Sequence, residues 1–449
     1  MRVALIRARL DIVQRWAVGR VPSAAEEIHL PVVADPRDGA HRPYLPGTGL
    51  AGALRRHLGP LATDWLGPEP PAWEETQART GPRERKAGRL VLLGTHVEAT
   101  GDEARVEQRG VTSICGTRRA AARGGFRQEE WNRPTTVTIA MTYELEEHER
   151  ETDGALLDAL ASWAPSVGRA SSTGMGSARV SLVEHLTVDL TDGAQLTWWL
   201  TERDSWLRRA DAGEPPVSVP APRQGTAESR HGTPWSIQWS VREPLHVGAG
   251  SASESVTSSG RAEVQPTMTV DGKPVVPGSS WKGVVRGRVQ AILALLDVQR
   301  SGEVLDHLFG SSQSGHGLLA FEDSVIELDS IPGGALRNRT HVAIDRFTGG
   351  ARDTGLFVVE GIPAGTPVTL TVRSEGKLPG PVRNLLMHVF WDIHDGIIGV
   401  GGMVTRGYGG LEFPHGPNDP VPARPEPINV AALVTLLDQP AQSDEGSNG

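Results

Sequence analysis

Two stretches of the chain share one design and lie about 230 residues apart. The first, Tyr44–Leu58, reads YLPGTGLAGALRRHL, and the second, Val275–Gln290, reads VVPGSSWKGVVRGRVQ. Each begins with an apolar strand end, turns at a Pro-Gly pair and continues as a helix that carries arginine. Because an internal repeat decides how many times one fold is built, it constrains this chain more than any single motif does.

The features around this turn also recur in the same order. Each half opens with a strand, VALIRARLDIV in the first and WSIQWSVREPLHVG in the second. After the turn and its helix come a Gly-led apolar strand, an arginine- and glycine-rich excursion, another strand, a second helix and a glycine-rich closing loop. Strands and helices do not alternate strictly, so the pattern predicts a tandem duplication of one α+β domain.

Composition suggests where these domains begin and end. A length of 449 residues suits two or three domains of about 150 residues each. The chain around residues 211–234 is rich in Pro and Gly, and the chain after Pro414 is rich in Pro and Asp. We therefore predict a first domain at 1–204, a linker at 205–234, a second domain at 235–415 and a flexible C-terminal tail at 416–449.

Charge and cysteine content narrow the classes of function. A net charge of −9 argues against bulk electrostatic binding of nucleic acid. A local basic groove remains compatible with it, because the screening length in cells is only ~8 Å. No apolar run approaches the ~20 residues that span a bilayer, and the single cysteine, Cys115, excludes an internal disulfide and a multi-cysteine metal site. We expect a cytoplasmic protein with no membrane partner and no resident metal.

The repeated turn predicts an anion site. In the second half Gly278 forms the turn, Ser279 or Ser280 can cap the helix, and the free N–H groups of the first helical turn attract anions. Lys282 and Arg286 are four residues apart and therefore share one helix face. The sequence thus predicts phosphate ligands here. The matching candidates in the first half are Gly47, Thr48 and Arg55, with Ala51 in place of the lysine.

Two further segments of the second half predict contact with RNA. The closing loop GGMVTRGYGGLEF offers the guanidinium of Arg406, backbone approach at Gly407 and the ring of Tyr408 as a stacking surface. The excursion NRTHVAIDRFTGGARDTGLFVVE has no helical or strand period and places arginines around glycines, which indicates a functional insertion. Its RNA-binding candidates are Arg339 and Arg346, and those of the first half are Arg118 and Arg119.

As a set, PGSSWKG, LFG…GLLAFED, HVAIDRFTGGARDTGLFVVEGIPAG and RGYGG resemble the RAMP superfamily of CRISPR-associated proteins. In particular they resemble the repeating backbone subunits of type III effector complexes. The resemblance implies two tandem ferredoxin-like (RRM-like) domains with long insertions. It also implies a β-hairpin in each, called the thumb in that family, which would lie at about Arg337–Phe357 and about Arg109–Phe126.

The resemblance further implies the partners. These are a CRISPR guide RNA, a complementary target RNA and other effector subunits, namely a large subunit, small subunits and further RAMP subunits. The function implied is to hold the guide RNA for base pairing to target RNA in antiviral defence, without an intrinsic cofactor. A duplicated RNA-binding protein unrelated to CRISPR is a further alternative.

Active backbone subunits of that family carry an aspartate, in the loop before the Pro-Gly turn, that supports metal-dependent RNA cleavage. Here His29 stands about where that aspartate would be, with Glu26 and Glu27 nearby. The second-half candidates are Glu263 and, as the alternative, Asp271. A carboxylate could hold Mg²⁺, and a histidine could act as a general base. The alternative function is therefore a Mg²⁺-dependent endoribonuclease that cuts target RNA within the complex.

Overall fold

The computed structural model describes residues 1–23, 27–35, 42–68, 87–98, 106–115, 120–209, 213–227, 234–250, 253–257, 260–311, 315–374, 376–415 and 421–438. The chain divides into two compact units. The first comprises Met1–Gln108, Glu130–Ser171 and Met175–Arg230. The second comprises Arg109–Glu129, Ser172–Gly174 and His231–Gly449. The excursion of the first half therefore belongs to the second unit, whereas the sequence placed it in the first domain.

Both halves of the chain mix strands and helices, as the α+β prediction requires. The first half contains β1 (Arg2–Ile12), α1 (Gly47–Leu58), α2 (Ala62–Leu66), β2 (Val91–Val97), β3 (Val106–Cys115), β4 (Ala120–Asn132), β5 (Thr135–Glu144), α3 (Gly154–Ala161), β6 (Ala178–Asp189), α4 (Gly193–Thr201), α5 (Arg203–Leu207) and β7 (Arg223–Gln224).

The second half contains β8 (Trp235–Val241), β9 (Ser253–Thr257), β10 (Gly260–Gln265), β11 (Thr269–Val270), β12 (Lys273–Val276), α6 (Gly278–Leu295), α7 (Ser301–Phe309), β13 (Leu319–Phe321), β14 (Ser324–Val325), β15 (Arg337–Ile344), β16 (Ala351–Gly361), β17 (Pro367–Ser374), α8 (Gly380–His394), β18 (Leu411–Glu412) and α9 (Val430–Thr435). Short 3-10 turns lie at Gly59–Leu61, Ser171–Thr173, Leu328–Ser330, Val404–Arg406 and Leu436–Asp438.

The central sheets of the two units have the same strand order. The sheet of the first unit runs β2-β5-β1-β6-β7, and that of the second runs β13-β17-β8-β18. Neighbouring strands are antiparallel in both sheets. If the four shared strands are numbered along the chain within each unit, both sheets read second, third, first, fourth. A helix follows the first strand and another follows the third strand in each unit.

Burial of β1 shows how the first unit closes its core. Ile6 on one face of the strand packs with Leu54 of α1 and Leu157 of α3. Leu5 points to the opposite face, because successive side chains of a strand alternate, and it packs with Trp206 of α5. The sheet of this unit is therefore covered on both faces along β1.

Part of the predicted linker at 205–234 is structured within the first unit. Trp206 and Leu207 are buried in the packing just described. Further on, Arg223 and Gln224 form β7, which pairs with Val183 and Leu182 of β6. The linker was predicted from its Pro- and Gly-rich composition. Composition does not show that a few aromatic and apolar residues are enough to hold such a segment against the first unit.

Part of the predicted flexible tail at 416–449 is also structured, in the second unit. Leu433 of α9 is buried in the core of that unit. The guanidinium of Arg424 lies 4.1 Å from the centre of the Trp391 ring on α8 and forms two hydrogen bonds with Asp395, of 3.0 and 3.1 Å. Residues 421–438 thus form a strap over α8, held by contacts that Pro-rich composition does not predict.

The glycine-rich closing loops of the two units share one backbone geometry. Val167 N donates to Gly176 O over 2.8 Å, and Val400 N donates to Gly409 O over 2.9 Å. Both glycines have positive φ, 68° and 80°, and a Cβ atom on either would clash with the carbonyl oxygen of Val167 or Val400. Further matched residues with positive φ are Ala170 with Met403 and Gly174 with Gly407. Glycine is therefore required at these two loop positions.

We predict that Gly409→Ala destabilises the second unit by about 2–4 kcal/mol, because the new Cβ atom both clashes with a carbonyl and strains the backbone. Urea unfolding measures the loss. The control is Gly283→Ala on α6, where a Cβ would meet nothing within 4 Å and should stabilise by about 0.5–1 kcal/mol. Equal stability of the two variants would contradict the close-approach argument.

Candidate nucleic-acid interface

The N-terminus of α6 is already bound by a carboxylate of the second unit. Gly278 N donates to Asp323 Oδ1 over 2.9 Å, and Arg109 Nη2 donates to Asp323 Oδ2 over 2.8 Å. The Asp323 and Arg109 side chains are each only 8% exposed. A negative charge thus already lies at the positive end of the helix dipole. The predicted anion site has one of its donors occupied by the protein itself, while Ser279 on the same turn is exposed and Ser280 is half-buried.

Lys282 lies on the first turns of α6 and points into a partly buried environment. Its Nζ donates to Ser172 Oγ over 2.7 Å. Burial and, to a smaller extent, the nearby charge of Arg286 together lower the pKa of Lys282 to about 8. Burial therefore destabilises the charged form of Lys282, and a bound anion would offset that desolvation cost.

Arg286 and its first-half counterpart Arg55 both bind the end of the following helix. Arg286 Nη1 donates to the carbonyl of Gly310, after α7, over 3.1 Å. Arg55 Nη1 donates to the carbonyl of Gly67, after α2, over 2.7 Å. The two arginines thus have a structural partner in the free protein. The sequence could have indicated this contact, because Gly67 and Gly310 stand at the same place in the two repeats. In the first half Thr48 is exposed and Gly47 half-buried at the start of α1.

The ring of Tyr408 is not available as a stacking surface for a base. It is only 3% exposed, and its hydroxyl lies 2.8 Å from Nε2 of His341 on β15. Burial raises the pKa of Tyr408, so it stays a neutral phenol. The aromatic ring that sequence reasoning assigned to RNA instead joins the closing loop to the base of the β15–β16 hairpin.

Two exposed guanidinium groups flank this joint. Arg406 of the closing loop lies 5.0 Å from the centre of the Phe357 ring on β16, and Arg339 of β15 lies 5.5 Å from the centre of the Tyr408 ring. We call Arg339, His341, Phe357, Arg406 and Tyr408 the hairpin-base cluster. Stacking on an aromatic ring uses the face of a guanidinium group and not its N–H donors. One donor of Arg406, on Nη1, lies 3.8 Å from Met403 Sδ.

The far end of the hairpin is a fixed turn with an exposed ring. Asp345 Oδ1 accepts hydrogen bonds from the N–H groups of Phe347 and Thr348, each over 2.9 Å. Phe347 is 84% exposed, and the guanidinium of Arg346 lies 4.8 Å from the centre of its ring. Arg346 is thus brought to the hairpin tip, away from the cluster at the base. Sequence reasoning missed Phe347, although an aromatic residue between Arg and Thr-Gly-Gly was visible.

The first-half loop with the proposed catalytic residues is tied down on one side. Glu27 and His29 are both exposed. Arg169 Nη2 donates to Leu30 O over 3.0 Å, and Val32 N donates to Glu130 Oε2 over 3.1 Å. The loop therefore presents His29 from a held backbone. Glu26 lies outside the described residues, as do Arg118 and Arg119.

Matched bridges in the two repeats align His29 with a residue of the second half other than Glu263, the candidate chosen from the sequence. Isolated bridges join Gly19 to Val32 in one repeat and Gly248 to Thr267 in the other. Counting back from these matched bridges, His29 corresponds to Val264. Glu263 lies in β10, where its backbone pairs with Phe357. Within the described ranges, acidic, histidine and cysteine side chains form no group able to hold a metal ion.

Part of the chain is similar to a known protein family. Residues 240–412 match the family model of the RAMP superfamily. The matched stretch lies in the second unit and contains α6, the β15–β16 hairpin and the closing loop, and it supports the RAMP part of the resemblance there. No curated protein matches the chain. In the part of the chain that the structure describes, no helix has the length and apolar character needed to cross a membrane.

We predict that Lys282→Met raises the stability of the protein at pH 7. The folded-state pKa of about 8 lies below the ~10.4 of a free lysine. Between these values the unfolded chain binds more protons, so stability should rise with pH in the wild type. The variant should lose that rise. Urea unfolding from pH 7 to 10, with Lys377→Met on an exposed loop as control, checks this, and an unchanged rise in Lys282→Met would refute it.

Proposed function

We propose that the chain is a guide-RNA-binding backbone subunit of a type III or type III-like CRISPR effector complex. In this proposal it is a fusion of two RAMP domains of ferredoxin-like fold, each holding the guide for base pairing to target RNA. The order that four strands share in the two central sheets supports the duplication. The family match over residues 240–412 supports the RAMP assignment of the second unit.

The hairpin-base cluster is the observation that carries this proposal. It lies within the matched stretch and presents Arg339 and Arg406, both exposed, on a scaffold of packed rings. Arg337, Arg346 and Arg352 are exposed along the same hairpin. A row of guanidinium groups on a protein of net charge −9 is a local basic surface, and a polyanionic strand is the partner that such a surface attracts.

RNA is favoured over a compact anion because the cationic groups are spread along a hairpin and a loop. A single small anion would leave most of them unpaired, whereas a strand carries one phosphate per nucleotide along its length. The nucleic-acid partners proposed are the guide RNA and its complementary target RNA. The protein partners proposed are the neighbouring effector subunits, namely the large subunit, small subunits and other RAMP subunits.

We predict that the Arg339→Ala, Arg406→Ala double variant binds single-stranded RNA more weakly and with a flatter salt dependence. Each lost phosphate contact should reduce the log–log slope by roughly 0.7. Fluorescence anisotropy with a labelled oligonucleotide at several salt concentrations measures both effects. Arg424→Ala, which removes an exposed arginine of the strap over α8, is the matched control and should keep the wild-type slope. Equal slopes in all three proteins would exclude the cluster as the RNA site.

Target cleavage is the second candidate function, and the held, exposed loop of Glu27 and His29 favours it in the first unit. Mg²⁺ would then be supplied by the solution with the RNA. We predict that, in an assembled complex given complementary RNA and Mg²⁺, His29→Ala removes a cleavage product while RNA binding persists. Glu263→Ala is the control and should spare that product, since Val264 takes the matched position. If neither variant changes the products, any cleavage belongs to another subunit.

A further inference from the structure

His341 is held in the hairpin-base cluster by two independent contacts. Its ring stacks on Phe357, the residue directly across the hairpin, with centres 5.3 Å apart and planes 17° apart. Its Nε2 lies 2.8 Å from the hydroxyl of Tyr408. A stacked face and a hydrogen bond at one ring nitrogen together restrict the orientation of an imidazole. In the part of the chain described, Nδ1 of His341 has no hydrogen-bond partner.

Among the described residues, the charged groups that act on His341 are both cationic, namely Arg406 and Arg339. Arg406 approaches from the closing loop and Arg339 from its own strand, while Tyr408 of the loop and Phe357 of β16 are neutral. Burial is the main reason that the pKa of His341 is lowered, and the charges of Arg406 and Arg339 lower it further. The ring is therefore neutral in the free protein at neutral pH.

A phosphodiester bound at the cluster reverses this balance. Its negative charge offsets the two guanidinium charges and adds a favourable partner for a third cation. Protonated imidazole has a donor on each ring nitrogen. One donor would serve the Tyr408 oxygen, which leaves the other for a phosphate oxygen.

We propose that His341 is a third ligand of the RNA backbone at the hairpin-base cluster, donating from Nδ1 to a phosphodiester oxygen and taking up one proton from solvent as the RNA binds. This inference rests on the proposed function and adds His341 to the residues that the sequence analysis assigned to RNA. RNA affinity should then rise as the pH falls, by at most about tenfold per pH unit for one linked proton.

The test is binding of a labelled oligouridylate to the full chain from pH 5 to 8 at constant ionic strength. Uracil does not titrate in this interval, so a pH dependence belongs to the protein. We expect the wild type to bind more tightly at pH 5 than at pH 8, and His341→Gln to lose that gain. His388→Gln on α8, where the ring binds the carbonyl of Glu426, is the matched control and should behave as the wild type.

A second measurement keeps the inference testable if His341→Gln folds poorly. Histidine-selective NMR of the wild type should show one histidine, assigned by its absence in His341→Gln or in His341→Phe, whose pKa rises when oligouridylate is added. An unchanged pKa, or wild-type pH dependence in His341→Gln, overturns the role of His341 while RNA binding stands. Absence of binding at every pH overturns the proposed function together with it.

Discussion

The close backbone approach of the closing loop is the constraint on which the second unit depends. Gly409 N donates to Pro244 O, Val400 N donates to Gly409 O, and Gly402 N donates to His246 O, over 2.7 to 2.9 Å. The bond between Val400 and Gly409 closes the loop, and the other two attach it to the chain that follows β8. Because the loop is fixed, Tyr408 and Arg406 lie against the β15–β16 hairpin. The hairpin-base cluster depends on this position of the loop.

Sequence reasoning could predict what is local or repeated. The helices α1 and α6 begin at the two Pro-Gly turns, at Gly47 and Gly278, and the α+β character follows from the order of the motifs. It could not predict the surroundings of single side chains. Tyr408 was assigned to RNA because a tyrosine among glycines suggests an open ring, but packing against β15 buries it. Arg286 was assigned to phosphate from helical spacing, which does not reveal the carbonyl of Gly310.

The two closing loops keep one backbone and differ in chemistry. Gly176 and Gly409 form equivalent bonds, yet Met175 stands where Tyr408 is found, and Thr173 stands where Arg406 is found. The positions that secure the loop have been retained, while those that carry charge have not. If the two halves hold RNA, they therefore do so with unequal sets of side chains, and the second half carries the cationic cluster.

The strap over α8 bears on how this protein is made. Leu433 completes the core of the second unit, and Asp438 pairs with Arg300 at the start of α7 over 2.9 Å. Domains fold as units while the chain leaves the ribosome, with earlier ones first. The second core cannot be completed until residue 438 has left the exit tunnel, whereas β7 supplies the last strand of the first sheet about 200 residues earlier. During that interval of synthesis, the apolar core of the second half is not yet fully buried.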